Sequence, residues 1–394
     1  MKKLLFLFVL ALSSILLSAQ QNPLVESKIV DAVTGEVLPF ASVYISTDQG
    51  TISNQDGGFA IAAFPNDVLH ISYVGYESRD FVASKLPATV KLKPLSVELS
   101  EVLVKPVNVN DLLMRIFQKY KKQIKQSKKK ESQFFYRQIT RTNTECNEIM
   151  EAFYNACSVV TVRNINLITG RYACLQPDSL HPYQTFTNFF QYSQVSPIYL
   201  YEVNYGDVMT FLDRHYQRYY SVDYDILSDS NNKTIYRLKF TPRSKRRRLA
   251  LVGVLYIDPV TLEIKRMECR EDDMPITINI GEYTEEKKIS ISFTLNYKTV
   301  HGMSVIQTVH VKTQYDSQLV GGKVEVNSIL YNMGPKKSRG CRFLARETNM
   351  LKQIKNIDYS PSFWRSNVII KRTPLEENAT QIFEKANLFG TYKK

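Results

Sequence analysis

DAVTGEVLPFASVYISTDQGTISNQDGGFAI, residues 31–61, is the densest part of a stretch from Lys28 to Leu92 whose reading decides the fold. Apolar and polar residues alternate along it. Ala41, Val43 and Ile45 point one way, and Ser42, Tyr44 and Ser46 the other. The same alternation returns at Phe59, Ile61 and Ala63, at Leu69, Ile71 and Tyr73, and at Val90 and Leu92 against Lys91 and Lys93. A period of two over short runs is that of half-buried strands. Between the runs stand Thr34-Gly35, Asp48-Gln49-Gly50, Asp56-Gly57-Gly58, Pro65-Asn66-Asp67 and Val74-Gly75. Asp-Gly pairs supply the positive φ that tight hairpins require, so Gly35, Gly57 and Gly75 are expected in turns. With no helical period among the strands, the spacing predicts a small antiparallel β-sandwich.

Three segments carry a family resemblance: Val30 to Val43, Gly50 to Phe59, and Leu69 to Glu77 (LHISYVGYE). Together they resemble the carboxypeptidase-regulatory-like domain. The resemblance implies a prealbumin-like sandwich of about seven strands. That domain accompanies some zinc carboxypeptidases and is common at the N-terminus of Bacteroidetes outer-membrane proteins. It covers about a fifth of the chain and brings no catalytic residues.

Upstream, Lys2 and Lys3 precede an apolar run from Leu4 to Leu17, and Ser18-Ala19 offers small residues for cleavage. Residues 1–19 therefore read as a signal peptide, with the mature chain exported to the periplasm or outer membrane. No cysteine follows the run to take a lipid anchor. Five cysteines, 146, 157, 174, 269 and 341, show no C-x-x-C spacing. Export permits disulfides, and Cys146 and Cys157 are candidates to face each other across a hairpin; isolated buried thiols are the alternative.

The first domain is expected over residues 24–105, with Glu98 to Lys105 as its exit strand before Pro106. Over 106–131 the period changes. Leu113, Ile116, Phe117, Tyr120 and Ile124 fall at helical intervals behind Asn110 or Asp111 as cap, and lysines fill the other faces. Two readings of this amphipathic helix stand: attraction to an anionic membrane surface, or a solvated face docked on the second domain.

From 132 to 372 strands return, clearest at 134–141, 234–241, 249–257, 263–270, 289–300 and 303–314, with turns at Asn143, Asp258-Pro259 and His301-Gly302. Consecutive hairpins without helices predict a large antiparallel meander or half-barrel. The run from Tyr236 to Arg266 is similar to the curved half-barrel of lipoprotein carriers. Phe135-Tyr136-Arg137 resembles the strand that follows the helix in envelope proteins carrying a regulatory-like sandwich. Residues 373–394 hold a C-terminal helix. Thr373-Pro-Leu-Glu376 is a capping box with proline at the first helical position, and Gly390 is placed at the end. The fold class is thus mainly β: a seven-stranded sandwich, a helical linker, a larger β-domain and a final helix.

Chemistry is scarce. The residues three beyond His70, His181, His215, His301 and His310 are Tyr73, Gln184, Arg218, Ser304 and Thr313, none a glutamate. The zinc ligand set of a carboxypeptidase is missing, as are H-E-x-x-H, G-x-S-x-G, Walker and G-x-G-x-x-G patterns. No catalytic residue, metal ligand or cofactor is therefore assigned. Glu282, Glu285 and Glu286 read as a solvated cluster at a turn.

Two groups are candidate contacts. The basic run Lys245, Arg246, Arg247 and Arg248, with Lys336, Lys337, Arg339 and Arg342 as a second group, suits anionic envelope lipid or an acidic partner. Nucleic acid does not fit an exported chain without a recognition motif. Phe189, Phe190, Tyr216, Tyr219 and Tyr220 stand out of the aromatic segment 183–224 as candidate ligand contacts, or as a segment that wraps the sheet.

Three functions follow. A non-catalytic envelope adaptor would join the sandwich to a curved β-domain that binds an outer-membrane or periplasmic protein. A periplasmic carrier or chaperone would hold a lipid or lipoprotein chain in a half-barrel. A hydrolase would need a site without a familiar motif.

Overall fold

The computed structural model describes residues 23–46, 49–97, 107–128, 130–157, 159–175, 190–198, 210–231, 233–243, 250–280, 283–318, 321–336 and 350–390. The chain divides into two compact units: residues 1–73 with 78–93, and residues 74–77 with 94–394.

The first unit is the seven-stranded sandwich. Its strands are β1 (Leu24–Asp31), β2 (Ser42–Tyr44), β3 (Gly50–Ile52), β4 (Gly58–Ala62), β5 (Val68–Ser72), β6 (Arg79–Val82) and β7 (Thr89–Leu92). They form a sheet of order β4-β1-β7 and one of order β3-β2-β5-β6. The inward residues of both, Ile29, Val43, Phe59, Leu69, Ile71, Val90 and Leu92, are fully buried. One pairing departs from the antiparallel expectation: β1 and β7 run parallel. A parallel pair cannot be closed by a hairpin, and here the whole intervening chain serves as the crossover. Local turn chemistry is as the sequence predicts. Gly35, Gly57 and Gly75 all have φ between 75° and 91°. At Gly57 a Cβ would meet the Ile29 carbonyl oxygen at 2.6 Å, so the position needs glycine on steric grounds as well. Asn54 Oδ1 accepts from the amides of Asp56 and Gly58 and fixes that turn.

The second unit is built on an eleven-stranded antiparallel sheet. The strands are β8 (Ser96–Val97), β9 (Glu131–Thr142), β10 (Glu145–Cys157), β11 (Arg163–Cys174), β12 (Tyr220–Ser228), β13 (Thr234–Pro242), β14 (Val252–Ile257), β15 (Ile264–Ile280), β16 (Tyr283–Val300), β17 (Met303–Ser317) and β18 (Gly322–Pro335). Their order is β11-β10-β9-β18-β17-β16-β15-β14-β13-β12-β8. The run β12 to β18 is one continuous meander. A second, β9 to β11, joins it because β18 pairs with β9 over eleven residue pairs. The sheet is open, with β11 and β8 at its edges among the described residues. The expected turns hold: Asn143 and His301 have positive φ of 55° and 49°, and Gly302 follows at 70°. β15 and β16 run longer than their alternation suggested. Glu285 and Glu286 lie in β16 rather than in a turn, with Glu285 paired to Lys287 at 2.8 Å; Glu282 lies outside the described residues.

One face of the sheet is apolar along its whole width and packs on the chain's own helix α1 (Val109–Ser127). Asn108 caps α1 through the Asp111 amide, two positions before Asn110, the nearer of the two caps the sequence suggested. Leu112, Leu113, Ile116 and Tyr120 face the sheet, and Lys121, Lys122 and Lys125 face outward. Residues 190–198 and 210–216 cover the rest of that face. The opposite face of β9 to β11 carries the C-terminal segment, with α3 (Pro361–Ser366) and α4 (Pro374–Lys385); α2 (Met350–Lys355) packs on β11. The capping box forms as expected, with Thr373 and Glu376 bonded reciprocally. The helix ends earlier than Gly390. Asn387 takes the left-handed position at φ 52°, and the Leu388 amide donates back to the Phe383 carbonyl at 2.9 Å.

The pairing of Cys146 with Cys157 does not form. Both lie on β10, eleven positions apart, and an extended strand holds such residues about 35 Å from each other. Cys146, Cys174 and Cys269 are free, and Cys157 is disulfide-bonded. Residues 98–105 lie outside the described residues.

Candidate functional site on the two faces of β9 to β11

Strand β10 carries two glutamates that alternation sends to opposite faces. Beyond an irregularity between Cys146 and Glu148, the even positions Met150, Ala152 and Tyr154 face α1, and the odd positions Ile149, Glu151 and Phe153 face the C-terminal segment. Glu148 therefore points into the apolar side, and Glu151 into the other.

Glu148 is 3 % exposed. Its register neighbours are Thr140 on β9 and Cys174 on β11. The Tyr172 hydroxyl donates to Oε1 at 3.1 Å, while Oε2 makes no well-formed hydrogen bond among the described residues. Burial pushes this carboxyl up to about 8; the Thr140 and Tyr172 hydroxyls and the Lys355 charge temper the shift without cancelling it. At neutral pH Glu148 is a protonated acid, able to donate from the interior. Lys355, on α2, holds its ammonium 5.8 Å from the Tyr172 ring.

Glu151 is the reverse case. Burial alone would raise it, but Arg171, Arg137 and Arg372 hold it well below the usual carboxylate range. Arg137 Nε donates to Oε1 at 2.7 Å, and Arg171 donates to Oε2 through Nε at 2.8 Å and a terminal nitrogen at 2.6 Å. The cross-strand register sets this geometry, for Arg137 and Arg171 stand directly opposite Glu151 on either side. The C-terminal segment completes the network. Glu376 lies 3.5 Å from Arg137, the Ile370 carbonyl accepts from Arg137 at 3.1 Å, and Glu384 accepts from Arg171 at 3.2 Å. The Arg171 guanidinium is stacked between Trp364 at 4.8 Å and Phe389 at 4.4 Å. Every arginine in the set is answered by a carboxylate, so its chemistry is that of a clamp holding residues 370–390 to the sheet.

Of the expected contact residues, those that are described take no part in this network. Phe190, Tyr216 and Tyr220 are buried. Phe190 packs on Tyr136 at 5.0 Å and Tyr154 at 4.7 Å, Tyr220 meets Phe211 and Phe240 edge-on, and the Tyr216 hydroxyl donates to Asn110 Oδ1. Tyr219 is half-buried against the same core. In these positions the rings pack on the chain's own core and cover part of the sheet. Phe189, Lys245, Arg246, Arg247, Arg248, Lys337, Arg339 and Arg342 lie outside the described residues. Lys336 donates to Gln133 Oε1 at 3.2 Å.

Histidines are scattered. His70 meets Asp80 at 2.8 Å on the sandwich, His301 sits in a turn, and burial lowers His310 to about 4. Among the described residues no three of His, Cys, Asp or Glu converge as metal ligands, and no helix is long and apolar enough to cross a membrane.

Neither Glu148 nor Glu151 was singled out from the sequence. The available signal was Glu148-Ile-Met-Glu-Ala-Phe-Tyr154, where a charge occupies each face of an otherwise apolar strand.

Comparison with known proteins bears on the first unit. No curated protein and no solved structure matches the chain. The family model described as CarboxypepD_reg-like domain matches residues 25–104. With its seven strands in two facing sheets, this part of the chain is a carboxypeptidase-regulatory-like domain.

Proposed function

We propose that this is a non-catalytic exported protein of the cell envelope, in which the regulatory-like sandwich is an adaptor and the large β-domain binds a partner through its outer surface. One observation carries the reading: the apolar face of the eleven-stranded sheet is already covered by the chain's own α1 and residues 190–198 and 210–216. Binding to that domain then falls to the outer surface of those covering segments, to the sheet's other face and to its rim. Export is supported by the signal-like residues 1–19 and by the disulfide at Cys157, which suits an oxidising compartment. The partner is an outer-membrane or periplasmic protein, or anionic envelope lipid.

The carrier reading keeps one observation in its favour, the unbroken apolar lining beneath α1. Organic extraction of protein purified from its native envelope separates the two. The adaptor reading expects no stoichiometric acyl lipid and recovery of the chain in the envelope fraction. One bound lipid per chain would replace it with the carrier.

A further inference from the structure

Charge is divided unevenly along the chain. Residues 23–97 hold five basic and eight acidic side chains, whereas residues 98–394 hold 44 basic against 30 acidic. Helix α1 concentrates part of that excess where the structure gives it a shape. Lys121, Lys122, Lys125 and Lys128 are exposed, as are Arg115 and Lys130. The helix has a single acid, Asp111, which lies 3.7 Å from Arg115. None of the four lysines has an acidic partner among the described residues.

The other side of α1 is fastened across the ends of two hairpins. The Lys119 ammonium donates to the Thr261 carbonyl in the β14–β15 turn. Gln123, one helical turn on, donates to the Gly302 carbonyl at 3.0 Å and accepts from the Ser304 amide at 3.3 Å. Tyr120 between them donates to the Val160 carbonyl at 2.8 Å. The basic helix face is thus fixed beside the tips of these turns.

At one of those tips stands Val260, 85 % exposed, more so than any other large apolar side chain described. Its turn is rigid. Asp258 Oδ1 accepts from the Val260 and Thr261 amides at 2.9 Å each, and the Leu262 amide closes on the Asp258 carbonyl at 2.8 Å. A single exposed valine is ordinary. A valine held outward next to a fixed row of unpaired lysines has the composition of an interfacial contact, with an apolar tip for the acyl boundary and cations for the phosphates.

We propose that the outer face of α1, with Val260 at its flank, docks on an anionic phospholipid bilayer. The inference rests on the envelope-adaptor reading and names the surface that binds lipid.

The test is sedimentation of the mature chain with vesicles of phosphatidylcholine alone or mixed with phosphatidylglycerol, at low and high salt. Wild type should bind the mixed vesicles, bind phosphatidylcholine weakly, and release as salt rises. Each lysine near an anionic surface carries roughly a fivefold factor at low salt. The variant Lys121→Ser/Lys122→Ser/Lys125→Ser/Lys128→Ser should therefore bind about a hundredfold more weakly or worse. Val260→Asp should also weaken binding, while Lys245→Ser/Arg246→Ser/Arg247→Ser/Arg248→Ser should bind like wild type. All helix and turn substitutions are at exposed positions, and an unchanged thermal midpoint shows that the fold is kept. Equal binding by the helix variant and wild type, loss of binding in the loop variant instead, or no preference for phosphatidylglycerol each overturns the inference. None of these results bears on the lipid-extraction test of the adaptor reading.

Discussion

Replacing Glu148 by glutamine should make the protein more stable, increasingly so as pH rises. The reason is linkage. Glu148 titrates near 8 in the folded chain against an ordinary 4.5, so between those values the folded state holds a proton that the unfolded chain has released. Stability from this group is then greatest below 4.5, falls as pH climbs through the interval, and levels off above 8. The interval is about 3.5 pH units, and at about 1.4 kcal/mol per unit the cost approaches 5 kcal/mol at pH 8 and above. Relaxation of the side chain and entry of water lower that ceiling, so a gain of at least about 2 kcal/mol is expected for Glu148→Gln at pH 8. Glutamine keeps the shape and an acceptor for the Tyr172 hydroxyl. The assay is urea unfolding of both proteins from pH 5 to pH 9, taking the difference at each pH. His310, lowered to about 4, contributes the opposite slope below its unfolded pKa, but it is common to both and cancels. Parallel pH profiles for wild type and Glu148→Gln would refute the reasoning, because an interior carboxyl held protonated cannot be removed without changing the slope.

Two further outcomes follow from the same strands. Glu151→Ala should cost about 3–5 kcal/mol in urea unfolding at pH 7, because Arg137 and Arg171 would remain buried without their shared carboxylate; a loss within about 0.5 kcal/mol, as expected for exposed Glu286→Ala, would show the network to be dispensable. Since Glu151 is held well below the usual range, its contribution is present above its unfolded pKa and is lost only as pH falls through the lower folded value. For the cysteines, non-reducing peptide mapping should find Cys157 in a disulfide and Cys146, Cys174 and Cys269 as free thiols. Recovery of Cys157 as a free thiol, or of Cys146, Cys174 or Cys269 in a disulfide, would contradict that assignment.

What the amino-acid order determined by itself is local. Alternation, Asp-Gly turns and glycines at positive φ specify the sandwich, because each depends on neighbours a few residues apart. The same holds for the β13–β14–β15 hairpins, the His301-Gly302 turn and the Thr373 capping box. Helix α1 was legible too, down to the side that carries its lysines. Which of its surfaces would be covered was not, since an amphipathic pattern does not say what it packs against. Only the tertiary structure decided that β18 closes on β9, some 190 residues earlier in the chain, and that β1 pairs in parallel with β7. Strand pairing at such separations leaves no periodicity in the sequence. The candidate site depends on those pairings. Glu151 is ionised because the register sets Arg137 and Arg171 beside it and the C-terminal segment lies over them. Glu148 is neutral because the opposite face of the same strand is sealed from water without a cation in contact. In sequence they are two glutamates three residues apart, and burial and partners make them chemically opposite.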